Sequence, residues 1–470
     1  MKQDVLLTSL LAGRVRALNE APDATGRGFV LLWLQGQRRL SGNLALAHAQ
    51  RRANELKLPL VVYEAIRLDY PYASDRFHRF VLEGAADNAA AAKDRGFLYG
   101  FFLQTPQSPR GVLHALAARA AVVVTDWLPA FIHPAQTRAL AARASCRVEV
   151  VDAAGIAPIS AFPNQEFAAR TLRPKITKLL PERLLEIPDL KPAVAAPKQF
   201  DWGFEPLPFP LDDEELGRRV AALPIDHAVA PVAEVRGGTQ AALRRLRKFL
   251  RDGLPGYAEN RNEPSLEQTS GMSPYLHFGH LGAGQIALAA QKADAPQPDK
   301  DAFLEELIVR RELGLNFASR NPQHTSIDAA PGWALGTLRA HEKDERKFQY
   351  TDAQLEAART GDEVWNASQR QLVREGKIHG YLRMLWAKNM LFWSPTAKDA
   401  HRRISWLNDK YALDGRDAVS ATNFLWIFGL HDRPFPERAI FGTVRSMTSG
   451  SAMKKLDLDG YLEKFGPQKI

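Results

Sequence analysis

The feature that most constrains this chain is the alternation of short apolar runs with alanine-rich stretches in its first third. The apolar runs lie at residues 28–34, 58–66, 97–104, 120–127 and 146–153. Between them stand helix-like stretches such as NLALAHAQRRANELK. Short apolar strands separated by helices predict a parallel sheet that is covered on both faces. We therefore expect residues 27–155 to form a doubly wound, Rossmann-like α/β domain.

The rest of the chain divides into a connector and a helical region. Residues 156–235 are rich in proline, which predicts an extended connector with little helix. From residue 236 onward apolar residues recur at spacings of three and four, as in DAFLEELIVRRELGLNF. We expect residues 236–470 to form an all-helical domain. No G-x-G-x-x-G sequence follows the first apolar run, so the sheet carries no obvious dinucleotide fingerprint.

Composition limits the cellular compartments and the classes of binding partner that suit this chain. The formal net charge of +9 over 470 residues suits a polyanionic partner such as nucleic acid. No apolar run reaches eighteen residues, so we expect no membrane span. The N-terminal apolar segment is too short for a signal peptide. The single cysteine, Cys146, excludes an intramolecular disulfide and favours a reducing cytoplasm. No metal site is expected, because His277, His280 and His379 lack ligand partners at useful spacing.

Three tryptophans stand close together in the last quarter of the chain. Trp386 and Trp393 are seven residues apart, close to two helical turns, so they share one face about 10 Å apart along the axis. Trp365 lies on a preceding segment that can fold back beside them. Indoles spaced in this way can pass an electron between a buried cofactor and the surface. The alternative is that all three are buried for packing alone.

Charged and small residues supply three further candidates. Ser273 and Pro274 have the pattern of an N-cap and a first helical residue, and the amides of a helix N-terminus bind anions such as pyrophosphate. The alternative is a plain capped helix. Glu306 borders an apolar stripe, where it can either contact a substrate or join a solvated face. Arg383 and Asp414 can pair around a redox-active ring, although each taken singly has the pattern of a surface residue.

Several long motifs, in order along about residues 28–465, resemble the photolyase/cryptochrome family and in particular its class II cyclobutane pyrimidine dimer photolyases. The motifs are WLQGQRRLSGNLAL, EFAARTLRPKITKLLPERL, SGMSPYLHFG, FLEELIVRREL, VWNASQRQLV, GKIHGYLRMLWAKNMLFW, LNDKYALDGRD and HDRPFPERAIFGTVRSM. The resemblance implies an N-terminal α/β antenna domain and a C-terminal helical domain that holds FAD. It implies that reduced FAD, excited by light, donates an electron to a pyrimidine dimer in UV-damaged DNA. We expect the protein to be a monomer. Two alternatives stay open, a cryptochrome-like blue-light sensor without repair and a flavin oxidoreductase acting on small molecules.

The resemblance also implies roles for individual residues around the flavin. The FAD pyrophosphate is expected near Thr269, Ser270, Gly271, Met272 and Ser273, with Tyr257 as an upstream contact. Arg383 and Asp414 are expected to flank the isoalloxazine ring. The electron relay is expected to run from the flavin to solvent through Trp386, Trp365 and Trp393, in that order.

On the DNA side, the resemblance implies that Glu306 contacts the dimer. Phe435 stands where relatives carry a tryptophan beside the lesion, and Arg310 and Arg445 are expected at the DNA. The dimer must leave the duplex to reach the flavin, so base flipping is expected. A basic cluster can either contribute phosphate contacts or form a solvated helix face. It comprises Arg244, Arg245, Arg247, Lys248 and Arg251.

Besides Phe435, two regions depart from the family pattern. Relatives carry an asparagine that faces flavin N5, and Val419 takes its place in the simplest alignment, with Asn423 four residues further on as a substitute. Valine neither donates nor accepts a hydrogen bond, so the redox behaviour of the flavin is expected to shift. Residues 35–43 also differ from the family motif beside the antenna site. A second chromophore of deazaflavin or folate type is therefore an open expectation.

Overall fold

A computed structural model describes residues 2–467 of the chain. The described residues form two compact units. The first contains the chain up to Pro163, Ile176–Arg247 and Met272–Lys292, and the second contains Asn164–Lys175, Lys248–Gly271 and the chain from Ala293 onward. The domain boundaries expected from the sequence stay predictions, whereas the predicted fold class, an α/β sheet domain followed by a helical one, is confirmed.

The first unit contains a six-stranded sheet. Its strands are β1 (Val15–Ala17), β2 (Val30–Leu34), β3 (Leu60–Ile66), β4 (Leu98–Leu103), β5 (Val122–Asp126) and β6 (Arg147–Val151). The order is β1-β6-β5-β2-β3-β4, with β1 antiparallel to β6 and all other neighbours parallel. The five predicted strands are confirmed. The edge strand β1 was not predicted, because its three partly exposed residues carry no apolar pattern.

Both faces of this sheet are buried, which explains the continuous apolar runs. Val30, Leu32 and Leu34 of β2 belong to one core cluster, while Leu31 and Trp33 belong to another. Successive side chains on a strand point to opposite faces, so a fully apolar strand needs a cover on each side. From β2 the chain proceeds to β3 and β4 in one direction and then to β5 and β6 on the other side. The prediction of a doubly wound sheet is therefore confirmed.

Helices make up most of the remaining described chain. The first eleven are α1 (Lys2–Leu11), α2 (Leu44–Leu56), α3 (Asp75–Arg95), α4 (Val112–Arg119), α5 (His133–Ala141), α6 (Ala169–Arg183), α7 (Asp213–Ala221), α8 (Thr239–Lys248), α9 (Tyr257–Asn260), α10 (Ser273–His277) and α11 (Ala283–Lys292). The others are α12 (Gln297–Leu304), α13 (Arg311–Arg320), α14 (Gly332–Ala340), α15 (Asp352–Glu356), α16 (Glu363–Glu375), α17 (Gly380–Trp393), α18 (Ala397–Tyr411), α19 (Ala418–Ile427), α20 (Ser449–Met453) and α21 (Asp459–Phe465). Two π-helical stretches, Phe249–Gly253 and Glu305–Arg310, interrupt this pattern.

The proline-rich connector is more helical than predicted. Residues 156–235 contain two helices, α6 and α7. The expectation of little helix is therefore wrong for these two segments. In α6, Leu172 and Ile176 lie four residues apart on one face and are fully buried. In α7 the Asp212 carboxylate caps the helix by accepting the backbone N–H of Glu215. Tertiary burial and capping thus outweigh the helix-breaking tendency of the prolines.

Five helices of the second unit position the candidate site. α17 packs against α16, α18 and α19, and α13 packs against α19. The start of α16 is fixed by the Asp362 carboxylate, which accepts the backbone N–H of Trp365, and its end by Gly376 in the left-handed region. α17 is apolar nearly all round and is buried along most of its length. Its side chains therefore face protein on several sides, as expected of a helix in a core.

Candidate functional site

Three indoles in the second unit touch one another in succession. The Trp365 ring stacks on Trp386 with centroids 6.3 Å apart and planes 7° apart, and it meets Trp393 edge-on at 5.4 Å and 69°. Their exposed fractions are 0% for Trp365 and Trp386 and 4% for Trp393. Trp365 is therefore the middle member of the chain of indoles, although it comes first in the sequence.

Hydrogen bonds hold the two innermost indoles in place. Trp365 Nε1 donates to the backbone carbonyl of Trp386 at 2.9 Å, which ties α16 to α17 directly. Trp386 Nε1 donates to Gln369 Oε1 at 3.0 Å, and Gln369 is itself fully buried. A buried indole N–H needs such a partner. The rings are therefore fixed and dry, as an electron-transfer path requires.

Tyr350 extends this chain toward solvent. Its ring meets Trp393 edge-on at 4.9 Å and 82°, and the residue is only half-buried. The Tyr350 hydroxyl accepts a hydrogen bond from the backbone N–H of Gly361 at 2.9 Å. The sequence alone does not single out this residue, because a single tyrosine in the polar stretch ERKFQY carries no pattern of its own. Four aromatic rings thus lead from a fully buried position to a partly exposed one.

The Arg383–Asp414 pair lies at the start of this chain. Arg383 stands three residues before Trp386 on α17, so the two side chains are neighbours on one face. Nη1 and Nη2 of Arg383 lie 3.3 Å from the Asp414 carboxylate oxygens, and the two side chains are 17% and 15% exposed. Tight pairs of this kind have distances nearer 2.8 Å. Arg383 Nε is buried and has no hydrogen-bond partner among the described residues.

Val419 lies in the first turn of α19. The Asp417 carboxylate caps this helix by accepting the backbone N–H of Val419 at 2.8 Å. On its other side Val419 approaches α13 closely, because a Cβ atom at Gly314 would lie 3.2 Å from Val419 Cγ2. Asn423, the substitute considered from the sequence, is exposed. The role of Val419 beside a flavin stays a prediction.

Glu306 lies on the π-helical stretch between α12 and α13, where the sequence had predicted one continuous α-helix. Its carboxylate accepts a hydrogen bond from Arg261 Nη1 at 2.7 Å and is 42% exposed. The Arg261 guanidinium also lies 6.0 Å from the ring of Tyr257, a buried residue whose phenol pKa is raised by burial and by the nearby Glu306 charge. Glu306 is thus held by an arginine from outside its own helix, not by an i,i+4 pair, and keeps an accessible carboxylate.

Arg310 ends the same π-helical stretch and faces an aromatic ring. Its guanidinium lies 5.5 Å from the ring of Trp426, a half-buried residue of α19. This distance is typical of a cation–π contact. Trp426 is not among the residues predicted from the sequence, although it stands seven residues after Val419 and therefore on the same side of α19. The interval between Val419 and Trp426 is seven residues, the same as the interval between Trp386 and Trp393.

The predicted DNA contacts Phe435 and Arg445 lie together on one loop, residues 432–445. The Arg445 guanidinium lies 4.6 Å from the Phe435 ring, and its Nε donates to Asp432 Oδ2 at 3.1 Å. The two sides of the loop are joined where the Phe435 N–H donates to the Thr443 carbonyl at 2.8 Å. Arg445 is about half exposed. The 432–445 loop therefore presents a cation and an aromatic ring side by side.

The residues predicted to bind pyrophosphate precede and begin α10. Thr269, Ser270 and Gly271 belong to the second unit, and Met272 and Ser273 to the first. Ser273 is the first helical residue and Met272 stands at the N-cap, so the prediction that Ser273 caps the helix is wrong by one residue. Gly271 has a φ of 66°, in the left-handed region that favours glycine. The phosphate contact stays a prediction.

Comparison with known proteins identifies the family. A family model described as DNA photolyase matches residues 30–197. A deoxyribodipyrimidine photo-lyase of Methanothermobacter thermautotrophicus is 36% identical over 456 residues, covering 96% of this chain and 98% of its own. The chain belongs to the photolyase/cryptochrome family. The resemblance stated from the motifs is therefore confirmed at the level of the family.

Solved structures of photolyases share the fold. A class III photolyase from Agrobacterium tumefaciens superimposes with a TM-score of 0.68 at 19% identity, covering 93% of this chain and 86% of that one. An archaeal photolyase from Sulfolobus tokodaii, solved with two FAD molecules, gives a TM-score of 0.63 at 15% identity, covering 94% and 90%. At these identities the likeness supports the architecture, an α/β sheet with a helical remainder.

One buried amide of this photolyase-family chain was missed by sequence analysis. Asn408 lies near the end of α18 and is 1% exposed. Its backbone carbonyl lies 2.9 Å from the position that a Cβ atom would take at Gly415, next to Asp414. Its side-chain Nδ2 donates to Asp409 Oδ1 at 3.2 Å. Asn408, a buried asparagine whose backbone lies next to Gly415, is a second candidate for the position given to Val419.

Residues 35–43, which are predicted to border an antenna site, begin at the carboxyl end of β2. The buried Asp126 carboxylate at the end of β5 accepts the backbone N–H groups of Gln35 and Gly36 at 2.9 and 2.8 Å. Gln35 Oε1 is buried and has no partner among the described residues. Strand order reverses between β2 and β5, and open α/β sheets bind ligands at that point. Whether a photolyase antenna binds here stays a prediction.

Among residues 2–467, no three or more His, Cys, Asp and Glu side chains are grouped so that they could hold a metal ion. In the same part of the chain, none of the helices has the length and apolar character needed to cross a membrane. The buried Cys146 is a free thiol.

Proposed function

We propose that this protein is a class II deoxyribodipyrimidine photolyase, a carbon–carbon lyase that uses light to split cyclobutane pyrimidine dimers in DNA. The observation that carries the proposal is the match to a named photo-lyase along almost the whole of both chains. The class II assignment rests on the motif resemblance and on the three indoles that touch in the order expected for that class.

FAD is the cofactor, and when bound it supplies light-driven electron donation. The Arg383–Asp414 pair fits this group, because its long 3.3 Å contacts and the unpartnered Arg383 Nε leave hydrogen-bonding capacity for a polar ring. The guanidinium would hold a negative charge on the ring, and the carboxylate would fix the guanidinium. Val419 would face N5, with Tyr257 contacting the cofactor elsewhere. The pyrophosphate would lie at Thr269, Ser270, Gly271, Met272 and Ser273.

The three indoles would carry electrons from the surface to the cofactor. Trp386 stands one turn from Arg383 and would be the first member, followed by Trp365 and Trp393. Hydrogen bonds to Gln369 and to the Trp386 carbonyl keep the rings in contact. Burial excludes water, so a positive charge on one indole passes to the next ring instead of being trapped by solvent reorganisation.

Glu306 and three other residues would bind the damaged DNA. The exposed part of the Glu306 carboxylate can accept a hydrogen bond from a pyrimidine N–H, while Arg261 fixes its direction. Arg445 would contact phosphate, and Phe435 would stack beside the lesion. Arg310, in contact with Trp426, would line the same region. A dimer is weakly paired, so flipping it out costs less than flipping a normal base.

We further propose that the protein acts as a monomer in the cytoplasm. The single cysteine and the positive net charge are compatible with a reducing compartment that contains DNA. A deazaflavin or folate antenna near residues 35–43 would add light absorption without changing the repair step. Absorbance in excess of that of FAD after purification would reveal such a chromophore.

The decisive experiment uses an oligonucleotide that carries one defined thymine dimer. Chemically reduced, FAD-loaded protein is illuminated with the DNA, and restored thymines are measured against a dark sample. Restoration in the light alone is expected. A yellow, photoreducible protein that leaves the dimer intact would contradict repair and favour the cryptochrome-like alternative.

A further inference from the structure

His341 lies between two carboxylates in the second unit. Its Nδ1 is 2.6 Å from Asp344 Oδ2 and its Nε2 is 2.9 Å from Glu437 Oε1. Ionised carboxylates only accept hydrogen bonds, so both ring nitrogens must donate. A neutral imidazole carries one N–H. The two bonds therefore exist together only in the imidazolium form.

Both carboxylates connect His341 to the 432–445 loop. Glu437 is part of the loop itself. Asp344 Oδ2 also accepts the backbone N–H of Ile440 at 2.7 Å, so one oxygen holds both the loop and the histidine. The fit is close, since a Cβ atom at Gly442 would lie 2.9 Å from His341 Cδ2. His341 therefore lies at the base of this loop and contacts both the loop and the Asp344 side chain that holds it.

The same loop carries the two proposed DNA contacts. Phe435 is fixed by its N–H bond to the Thr443 carbonyl, and Thr443 is fixed in turn by its own N–H bond to Thr337 Oγ1 at 3.0 Å. Arg445 lies over the Phe435 ring. A change in how the loop is seated would therefore move an aromatic ring and a guanidinium together.

We propose that His341 is a positioning residue for DNA binding, because its imidazolium form seats the 432–445 loop and neutralises Glu437. When His341 loses its proton, one carboxylate bond is lost and the group of three side chains becomes more negative by one charge. Both changes weaken the approach of a phosphate backbone. The inference rests on the proposed function, since it assigns the loop to DNA.

The direction of the pH effect follows from the environment of the ring. The bond to Asp344, followed by the bond to Glu437, raises the pKa of His341 above its ordinary value. These two carboxylates are the charged groups that face the ring, Arg346 lies near Asp344, and Thr337 and Gly442 contribute no charge. A raised folded-state pKa gives a contribution that is complete below about pH 6.5 and is lost as pH rises through the raised pKa. DNA affinity should therefore fall as pH increases from 6.5.

The test measures the Kd for dimer-containing duplex DNA from pH 6 to 9 at constant ionic strength. In the parent protein the Kd should rise by about two- to fivefold through the titration, the range for a partly exposed ion pair. His341→Gln should bind weakly at every pH and show no step. Glu437→Gln, a change at an exposed side chain, should flatten the step even if His341→Gln does not fold.

The matched control is His227→Gln. His227 pairs with a single carboxylate, Asp75, at 2.7 Å in the first unit. This variant should keep the parent pH profile. A parent-like step in His341→Gln or in Glu437→Gln would overturn the proposal.

A second measurement needs no DNA. The side-chain nitrogen resonances of His341 in labelled, FAD-loaded protein should report an imidazolium at pH 6.5. A neutral ring at that pH would refute the role of His341 while leaving dimer repair intact. Absence of repair by a protein whose His341 titrates as expected would refute the proposed function instead.

Discussion

Trp386 of the chain of indoles and Arg383 of the Arg383–Asp414 pair lie about one helical turn apart on α17, yet the chain and the pair are built in opposite ways. Trp365 and Trp386 are fully buried, and their N–H groups are satisfied at 2.9 and 3.0 Å by the protein itself. The Arg383–Asp414 pair is partly exposed, its contacts are 3.3 Å long, and Arg383 Nε has no partner among the described residues.

This difference shows which part of the site the protein completes by itself. A path for electrons works best when its rings are fixed and dry, so its polar atoms are bonded internally. A contact to a cofactor must keep a donor and a charge available, so its internal bonds are loose. The indoles are therefore complete within the protein, whereas the Arg383–Asp414 pair keeps the hydrogen-bonding capacity that the proposed FAD contact needs.

The largest expected effect breaks the chain of indoles. Trp386→Phe should abolish most of the light-driven reduction of bound FAD, because phenylalanine is much harder to oxidise than tryptophan. Repair by chemically prereduced protein should persist, since the electron that splits the dimer does not use the relay. Transient absorption and the oligonucleotide assay measure the two effects. Trp127→Phe in the first unit is the control, and equal photoreduction in both variants would remove the relay assignment.

The next effect tests the Arg383–Asp414 pair. Asp414→Asn leaves a partly buried guanidinium without its counter-ion and should weaken FAD binding by about 1–3 kcal/mol, or about five- to 150-fold in Kd. Fluorescence of released flavin measures the change. Asp352→Asn removes the shared partner of Arg402 and Arg403 and should leave FAD affinity unchanged. Equal losses in the two variants would mean that Asp414 acts on stability alone.

Glu306→Gln should lower repair by about tenfold, the value of one charge-assisted hydrogen bond of about 1.5 kcal/mol. FAD should remain bound, which the absorption spectrum checks. Glu186, paired with the exposed Lys292 in the first unit, provides the control variant Glu186→Gln, which should leave repair unchanged. Unchanged repair by Glu306→Gln would mean that Glu306 has only a structural role, as the hydrogen-bond partner of Arg261.

The smallest effect separates Val419 from Asn408. A new hydrogen bond worth about 1 kcal/mol corresponds to about 40 mV for a one-electron step. If Val419 faces N5, Val419→Asn should shift the flavin reduction potential by about that amount and Asn408→Ala should not. The opposite pattern would show that Asn408, and not Val419, contacts flavin N5. Spectroelectrochemistry of the FAD-bound proteins decides between them.

Local sequence patterns determined much of this protein. Five continuous apolar runs specified five parallel strands, because a strand buried on both faces has no polar alternation. The seven-residue interval placed Trp386 and Trp393 on one side of α17, because helical periodicity depends only on sequence distance. The long motifs identified the family.

The tertiary structure alone decided which residues meet. It placed Trp365 between two indoles that follow it in the sequence, and it brought Arg261 to Glu306. It also set His341 against Glu437, 96 residues away. Such contacts depend on how helices pack and loops return, and no local period encodes them. The sequence therefore determines which chemical groups are available, and packing over long distances in the chain determines which of them act together.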